Sequence, residues 1–170
     1  LGLMDVVHGL LNPHTLDAGT RVIIQDIRLP YALMAVVVGA CLGLAGAEMQ
    51  TVLNNPLASP YTLGVGAAAT LGASLVIVFN LSLFGLAAHI LLPLSAFVFA
   101  AAASLLILLL SKTLGASVHA VVLFGIALLF GINAIVGLIQ FVADAESVQQ
   151  IVFWTMGSLA RASLDKVMIV

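Results

Sequence analysis

Between Arg28 and Lys112 the chain carries one charged side chain, Glu48, and close after it stand Gln50, Asn54, Asn55 and Ser59. A carboxylate in such apolar company has three uses. It snorkels to a water boundary, accepts a hydrogen bond inside a bundle, or lines a hydrated path for a proton or cation. All three stay open for Glu48, which reads as lying in the last turn of a helix, where the dipole disfavours negative charge. At roughly 100° per residue, Gln50 shares a face with Gly43, Gly46 and Ala47 and points towards a neighbouring helix. Glu48 falls instead on the face of Cys41, Leu44 and Ala45. Farther along, Asn133 and Gln140 share a stripe with Gly137. Mid-span amides either join helices or line an aqueous route. His89 and His119 sit near span ends without partners at ligand spacing, and no nucleophile–base pairing stands out. Nothing here argues for an enzyme, a metal centre or a bound cofactor.

These groups sit in a chain that avoids water. Of its 170 residues, 63% are hydrophobic and 7% charged, with a mean hydropathy of +1.28. A soluble domain carries about a quarter charged residues, so the composition places the chain in a lipid bilayer. The net charge of −2 is too small to steer nucleic acid. One cysteine, Cys41, allows no disulfide framework and reads as a small buried packing thiol. The first residues lack the basic start, long apolar core and cleavage site of a signal peptide. The last residues stop inside an apolar pattern, which suggests a piece of something longer.

A bilayer crossing needs about 20 helical residues. Four stretches meet that length, at about Tyr31–Val52, Tyr61–Phe79, Leu86–Leu110 and Val118–Val142, and a fifth begins near Lys166. The fold class is all-α, a polytopic transmembrane helix bundle joined by short connections. Residues 1–28 are expected as an extracytoplasmic or interfacial segment, with Leu10, Leu11 and Val22 to Ile24 touching the membrane surface, and residues 29–170 as the bundle of a single domain. Val148 to Met156, with Trp154 near its end, reads as a short interfacial helix. Gly39, Gly43 and Ala47, and again Gly64, Ala68 and Gly72, recur at four-residue spacing. Small residues let backbones approach closely in lipid.

The run Asn54-Asn55-Pro56-Leu57-Ala58-Ser59-Pro60 stops the first helix. Pro56 lacks an N–H and disfavours helical geometry at Asn55, and Pro60 does the same to Ser59. Two readings stay open on spacing alone: a plain turn in water, or irregular backbone near membrane depth. The second is tolerated only where protein buries the backbone or a cavity wets it.

The motifs Arg28-Leu29-Pro30, Gly46-Ala47-Glu48-Met49-Gln50, Asn55-Pro56-Leu57-Ala58-Ser59-Pro60 and Leu63-Gly64-Val65 occur in order. They are followed by Phe124 to Leu128 and by the Trp154-Thr155-Met156-Gly157-Ser158-Leu159 segment. Together, over Arg28 to Ser163, this pattern resembles the membrane permease subunits of ABC importers for iron–siderophore complexes, haem and cobalamin. The resemblance implies a partial copy of a ten-helix permease that works as a homodimer in a prokaryotic inner membrane. Cytoplasmic ATPase subunits would use the ATP, and an extracytoplasmic substrate-binding protein would deliver the cargo. It also implies that Gln50, Asn54, Asn55, Pro56, Ser59, Asn133 and Gln140 border the translocation path, with Ala116 and Ser117 near an inner gate. Arg28 would dock the binding protein, with Tyr31 standing where the family has a second arginine. The element that presses on the ATPase belongs to the family's second half, which this chain does not match.

Charge points the other way on orientation. Arg21, Arg28, Arg161 and Lys166 fall on one side and Lys112 on the other, and the positive-inside rule would make the first side cytoplasmic. The resemblance makes it extracytoplasmic. Two rival functions accompany the importer: an ion-coupled secondary transporter built on Glu48, and a truncated remnant that associates with other helices without transport.

Overall fold

A computed structural model describes residues 2–12, 16–81, 88–113, 115 and 117–169. Their regular structure is helical. In chain order it comprises α1 (Leu3–Leu11), α2 (Ala18–Val22), a π-helical segment (Ile23–Arg28) and α3 (Leu29–Val52). There follow α4 (Val65–Val78), α5 (Ala88–Thr113), α6 (Val118–Val142), α7 (Ala145–Met156), a 3₁₀ turn (Leu159–Arg161) and α8 (Leu164–Ile169). Two compact units emerge, Leu1–Leu44 with Ser158–Val170, and Ala45–Gly157. Among the described residues three helical stretches are long and apolar enough to cross a membrane: Ala18–Val52, Ile90–Thr113 and Val118–Val142. The chain is a multi-pass membrane protein.

In the first unit, Asp17 caps α2 by accepting from the Thr20 N–H at 3.0 Å. Hydrogen bonds from Thr20, its side chain foremost, hold the Asp17 carboxyl below the usual carboxylate range. Helical backbone then runs unbroken from Ala18 to Val52, so residue 28 marks a change of helix type rather than an end of helix. Ile24, expected at the membrane surface, is instead only 1% exposed. A side chain at Gly9 would meet the Ile24 and Leu16 side chains at 2.7 Å, which shows how closely α1 covers it. Cys41, expected as a buried thiol, is exposed, because it lies on a face of α3 that its own unit leaves open.

In the second unit α4 is the hub, packed by α5, α6 and α7. Its composition explains this. Ala67, Ala68, Gly72 and Ala73 are buried and small enough for three neighbours to approach. A Cβ on Gly72 would stand 2.6 Å from the Ser95 carbonyl oxygen, and the Ser95 hydroxyl donates to the Gly72 carbonyl at 2.8 Å. The second small-residue stripe of the sequence is therefore a real helix contact. The first has no such role within its unit, for a Cβ on Gly39 or Gly43 would meet no described atom within 4 Å.

The expected span Tyr61–Phe79 is shorter than its hydropathy implies. Its helix covers 14 residues, Val65–Val78, or about 21 Å at 1.5 Å per residue. Left-handed backbone bounds both ends: Gly64 at φ 81° precedes the helix and Asn80 at φ 44° follows it. Asn80 ends α4 by a Schellman-like closure, with the Leu81 N–H donating to the Val76 carbonyl at 3.2 Å.

Candidate functional site

The segment between α3 and α4, residues 53–64, is irregular but not loose. Most of its N–H groups are satisfied locally. Asn54 and Asn55 donate to the carbonyls of Thr51 and Gln50, Ala58 to Asn55, Gly64 to Tyr61, and Val65 to Pro60. The Asn55 side-chain oxygen accepts from the Leu57 N–H at 2.9 Å, an Asx turn. Ser59 and Thr62 bond reciprocally: the Ser59 N–H donates to Thr62 Oγ1 at 3.0 Å and the Thr62 N–H to Ser59 Oγ at 3.2 Å. Leu53, Ala58 and Leu63 meanwhile bury themselves with Ile107 of α5, against Val121, Val122 and Phe124 of α6.

This anchoring has a consequence for depth. The Gly64 backbone abuts Gly125 and Leu129 of α6. Leu129 lies 11 residues after Val118, about 16 Å along a helix rising 1.5 Å per residue. The break therefore reaches the middle of a spanning helix. Irregular backbone at such depth requires that its polar groups be satisfied by protein or water, and the local hydrogen bonds satisfy most of its N–H groups.

Two clefts open beside the break. The first, about 530 Å³, is lined by Glu48 and Met49 at the end of α3, by Leu53, Pro60 and Leu63 of the break, and by Ser104 and Ser111 of α5. Glu48 and Ala45 both face it, as their shared helix face predicts. Among the described residues Glu48 has no hydrogen-bonding or ionic partner, and it is exposed.

The second cleft, about 520 Å³, lies between α4, α6 and α7. Asn133 and Gln140 of α6 line it, together with Tyr61, Thr70 of α4, and Trp154 and Thr155 of α7. Thr70 and Thr155 donate their hydroxyl protons to the carbonyls of Gly66 and Ile151. The Asn133 and Gln140 amides, the Tyr61 hydroxyl and the Trp154 N–H make no hydrogen bond to a described residue. Asn133 and Tyr61 are exposed and Gln140 and Trp154 half-buried, so these groups are open to water or to a hydrogen-bonding ligand in the cleft.

The position of α7 in this cleft follows from its caps. Asp144 accepts from the Ser147 N–H at 2.9 Å and from its hydroxyl at 2.8 Å. These bonds, the backbone one first, hold the Asp144 carboxyl below the usual range. Gly157 at φ 68° ends the helix. On its inner face Ser147 and Ile151 are buried, with Ile151 only 1% exposed.

The structure thus sorts the residues singled out in sequence. Asn133 and Gln140 share one cleft. Gln50 and Asn54 are exposed at the end of α3, Asn55 and Ser59 hold the break together, and Pro56 is exposed in it. Ser117 caps α6, accepting from the Ala120 N–H at 3.4 Å. Ala116 lies outside the described residues. Arg28 and Tyr31 are exposed where the π-helical segment passes into α3. Sequence reasoning missed Tyr61, Thr70 and Thr155, and assigned Trp154 to the membrane boundary alone. Pro60, immediately before Tyr61, was the available signal that this tyrosine is not inside a helix.

The FecCD transport family matches residues 1–170. A probable iron chelatin transport system permease protein of Helicobacter pylori is 37% identical over 142 residues, covering 84% of this chain and 41% of the relative. A hemin transport system permease protein of Yersinia pestis is 36% identical over 160 residues, covering 94% and 48%. A molybdate import system permease protein of Haemophilus influenzae is 35% identical over 155 residues, covering 90% and 44%. Among solved structures, an inward-facing conformation of a metal-chelate type ABC transporter superposes with a TM-score of 0.78 at 32% identity. That match covers 98% of this chain and 53% of the other. The chain spans about half the length of the relatives it matches.

Proposed function

The chain belongs to the FecCD transport family, and from that premise we propose that it builds the translocation path of an ATP-binding-cassette importer for a metal chelate. The single observation that carries this reading is the cleft between α4, α6 and α7, where Asn133 and Gln140 present unpaired amides beside a half-length helix. A path needs polar groups that engage a passing cargo without holding it, and amides among small side chains meet that need. The cargo class, an iron chelate or haem, is supported by what the relatives from Helicobacter and Yersinia are named for.

In this account no catalysis occurs on the chain. Two copies of the permease enclose the path in a prokaryotic inner membrane, partner ATPases supply the driving force, and a binding protein delivers the chelate. Arg28 and Tyr31, exposed together at the start of α3, would meet that binding protein. A rim arginine contributes more to steering and orientation than to affinity. Residues 54–60 and Ser117 would border the path by fixing the helix ends around it.

One observation favours a second reading. Glu48 opens unpaired into the other cleft with Ser104 and Ser111, as a proton or cation site of an ion-coupled carrier would. Uptake into proteoliposomes distinguishes the two. The polypeptide is reconstituted with its ATPase and binding protein and supplied with ferric siderophore or hemin. ATP-dependent accumulation supports the importer. Accumulation driven by an ion gradient without ATP overturns it in favour of the carrier.

A further inference from the structure

The first cleft combines one charge with aliphatic walls. Among the described residues that line it, Glu48 alone is charged, and Ser104 and Ser111 supply hydroxyls. The Ser104 hydroxyl donates to the Ala100 carbonyl at 3.0 Å. Glu48 and the Ser111 hydroxyl make no hydrogen bond or ion pair with a described residue. The walls include Val52 of α3, Ile107 and Leu108 of α5, and Val121 of α6. Three helix ends meet here: α3 ends at Val52, α5 ends at Thr113 and α6 begins at Val118. Glu48 lies about 6 Å inside the end of α3, and Ser111 about 3 Å inside the end of α5, at 1.5 Å per residue. The cleft is therefore at the level where headgroups give way to acyl chains. Lys112, next to Ser111, is exposed at the same end of α5 and has no ionic partner among the described residues.

We propose that this cleft binds a phospholipid with a primary ammonium headgroup, of the phosphatidylethanolamine class, the ammonium resting on Glu48 and the upper part of an acyl chain on the aliphatic walls. The site concerns the lipid partner of the chain and stands apart from the identity of the cargo. A carboxylate in the last turn of a helix meets the negative end of the dipole, and a cation offsets that cost. A metal ion is a poor fit. Divalent cations take about six to eight oxygen ligands, and the side chains here supply one carboxylate and two hydroxyls. An ammonium instead carries three donors, which the oxygens of Glu48, Ser104 and Ser111 can accept. The volume, about 530 Å³, lies in the range of sites that hold organic ligands, roughly 300–1,000 Å³. A lipid, rather than a soluble amine, follows from the rim. Val52 and Leu108 line the cleft and yet are 76% and 48% exposed, so its apolar wall continues onto surface that acyl chains cover. Lys112 places positive charge at the level of the phosphate.

The test takes the assembled transporter in mixed micelles with equal amounts of phosphatidylethanolamine and phosphatidylcholine of identical acyl chains, and counts retained lipid by native mass spectrometry. The wild type is expected to prefer phosphatidylethanolamine about ten-fold, the size of a hydrogen bond to a charged group. Glu48→Gln keeps the side chain's shape and is expected to erase the preference, while Ser111→Ala reduces it about three-fold. Lys112→Gln is expected to weaken retention of both lipids alike, since both carry the phosphate. Equal retention of the two lipids by the wild type, or a preference that survives Glu48→Gln, overturns the proposal.

A second measurement leaves the protein unchanged. Stepwise N-methylation of the headgroup removes donors one by one, and retention by the wild type is expected to fall along the series to its lowest value at the quaternary ammonium. A flat series contradicts the site. So does retention of phosphatidylglycerol equal to that of phosphatidylethanolamine, which would leave Glu48 no part in recognition. Displacement of the retained lipid by free ethanolamine would overturn the lipid assignment in favour of a soluble amine. Neither measurement reads uptake, so its failure is distinct from failure of the importer reading.

Discussion

Gly64 and Leu129 meet backbone to backbone: a Cβ on Gly64 would stand 2.9 Å from the Leu129 nitrogen, and φ at Gly64 is 81°. No other residue type suits both conditions, since a side chain there is strained by conformation and blocked by α6. This contact sets the irregular segment at mid-span, starts α4 late, and leaves room for the cleft in which Asn133 and Gln140 lie. Gly64→Ala is therefore expected to destabilise the bundle by about 1–3 kcal/mol, lowering the Tm in detergent. Gly131→Ala, with no described atom within 4 Å of the added Cβ, is expected to leave it unchanged or slightly higher. An unaltered Tm for Gly64→Ala would show that the break does not seat against α6.

Ser95 and Gly72 join α5 to α4 by one hydrogen bond of 2.8 Å. Polar links between membrane helices are worth about 0.6 kcal/mol on average and up to about 1.7 kcal/mol. Ser95→Ala is expected to lose an amount in that range, whereas Gly72→Val, which drives a side chain into the Ser95 backbone, loses far more. Equal effects of the two substitutions in a denaturation titration would contradict the packing described.

The Asp144 cap makes a pH prediction. Its carboxyl is depressed by Ser147, so its contribution to stability is fully present above the ordinary carboxylate range and is lost as pH falls through the lowered folded-state value. Fluorescence of Trp154, the chain's one tryptophan, is expected to stay constant from neutral pH down to about pH 5 and to shift only in stronger acid. Asp144→Ala is expected to shift it already at neutral pH, while Asp144→Asn, an equally good N-cap, does not. A transition near neutrality in the wild type would show that another group governs α7.

Glu48 separates the two transport readings. Glu48→Gln keeps the shape of the side chain and removes its charge. The importer account expects ATP-dependent uptake to survive within about two-fold, since an intramembrane carboxylate is indispensable only where it carries the coupling ion or proton. Abolished uptake with ATPase activity intact would favour an ion-coupled step.

Much of this architecture was legible in the residues. Val118–Val142 is a helix over the stretch its apolar run predicts, because 25 residues that are apolar but for His119, Asn133 and Gln140, and include no proline, leave no alternative in lipid. The short helix around Trp154 was legible from its amphipathic pattern. Tyr61–Gly64 was not, because hydropathy reports a preference for lipid and is silent on backbone conformation. Pro60 and the left-handed Gly64 decide that conformation. The exposure of Cys41 was equally hidden, since burial depends on which helices arrive opposite, and α3 leaves that face open within its unit. At the site, Asn133 and Gln140 stood out as amides in an apolar run. Tyr61 and Trp154 did not, since no periodicity links residues that only tertiary packing of α4 and α7 brings to one cleft. The hydroxyl and amide of Ser59 and Asn55 looked like path groups by type, yet the structure engages both in holding a turn.

The most direct measurement is aqueous accessibility along α6 in the assembled transporter. In a Cys41→Ser background, cysteine replaces Asn133 and Gln140 in turn and is offered a charged, membrane-impermeant thiol reagent. The account predicts reaction at both positions in at least one state of the ATP cycle, slowed when chelate-loaded binding protein is present. Lack of reaction at both positions in every state, while wild-type uptake proceeds, would mean that the cleft between α4, α6 and α7 is sealed from water and that the cargo passes elsewhere.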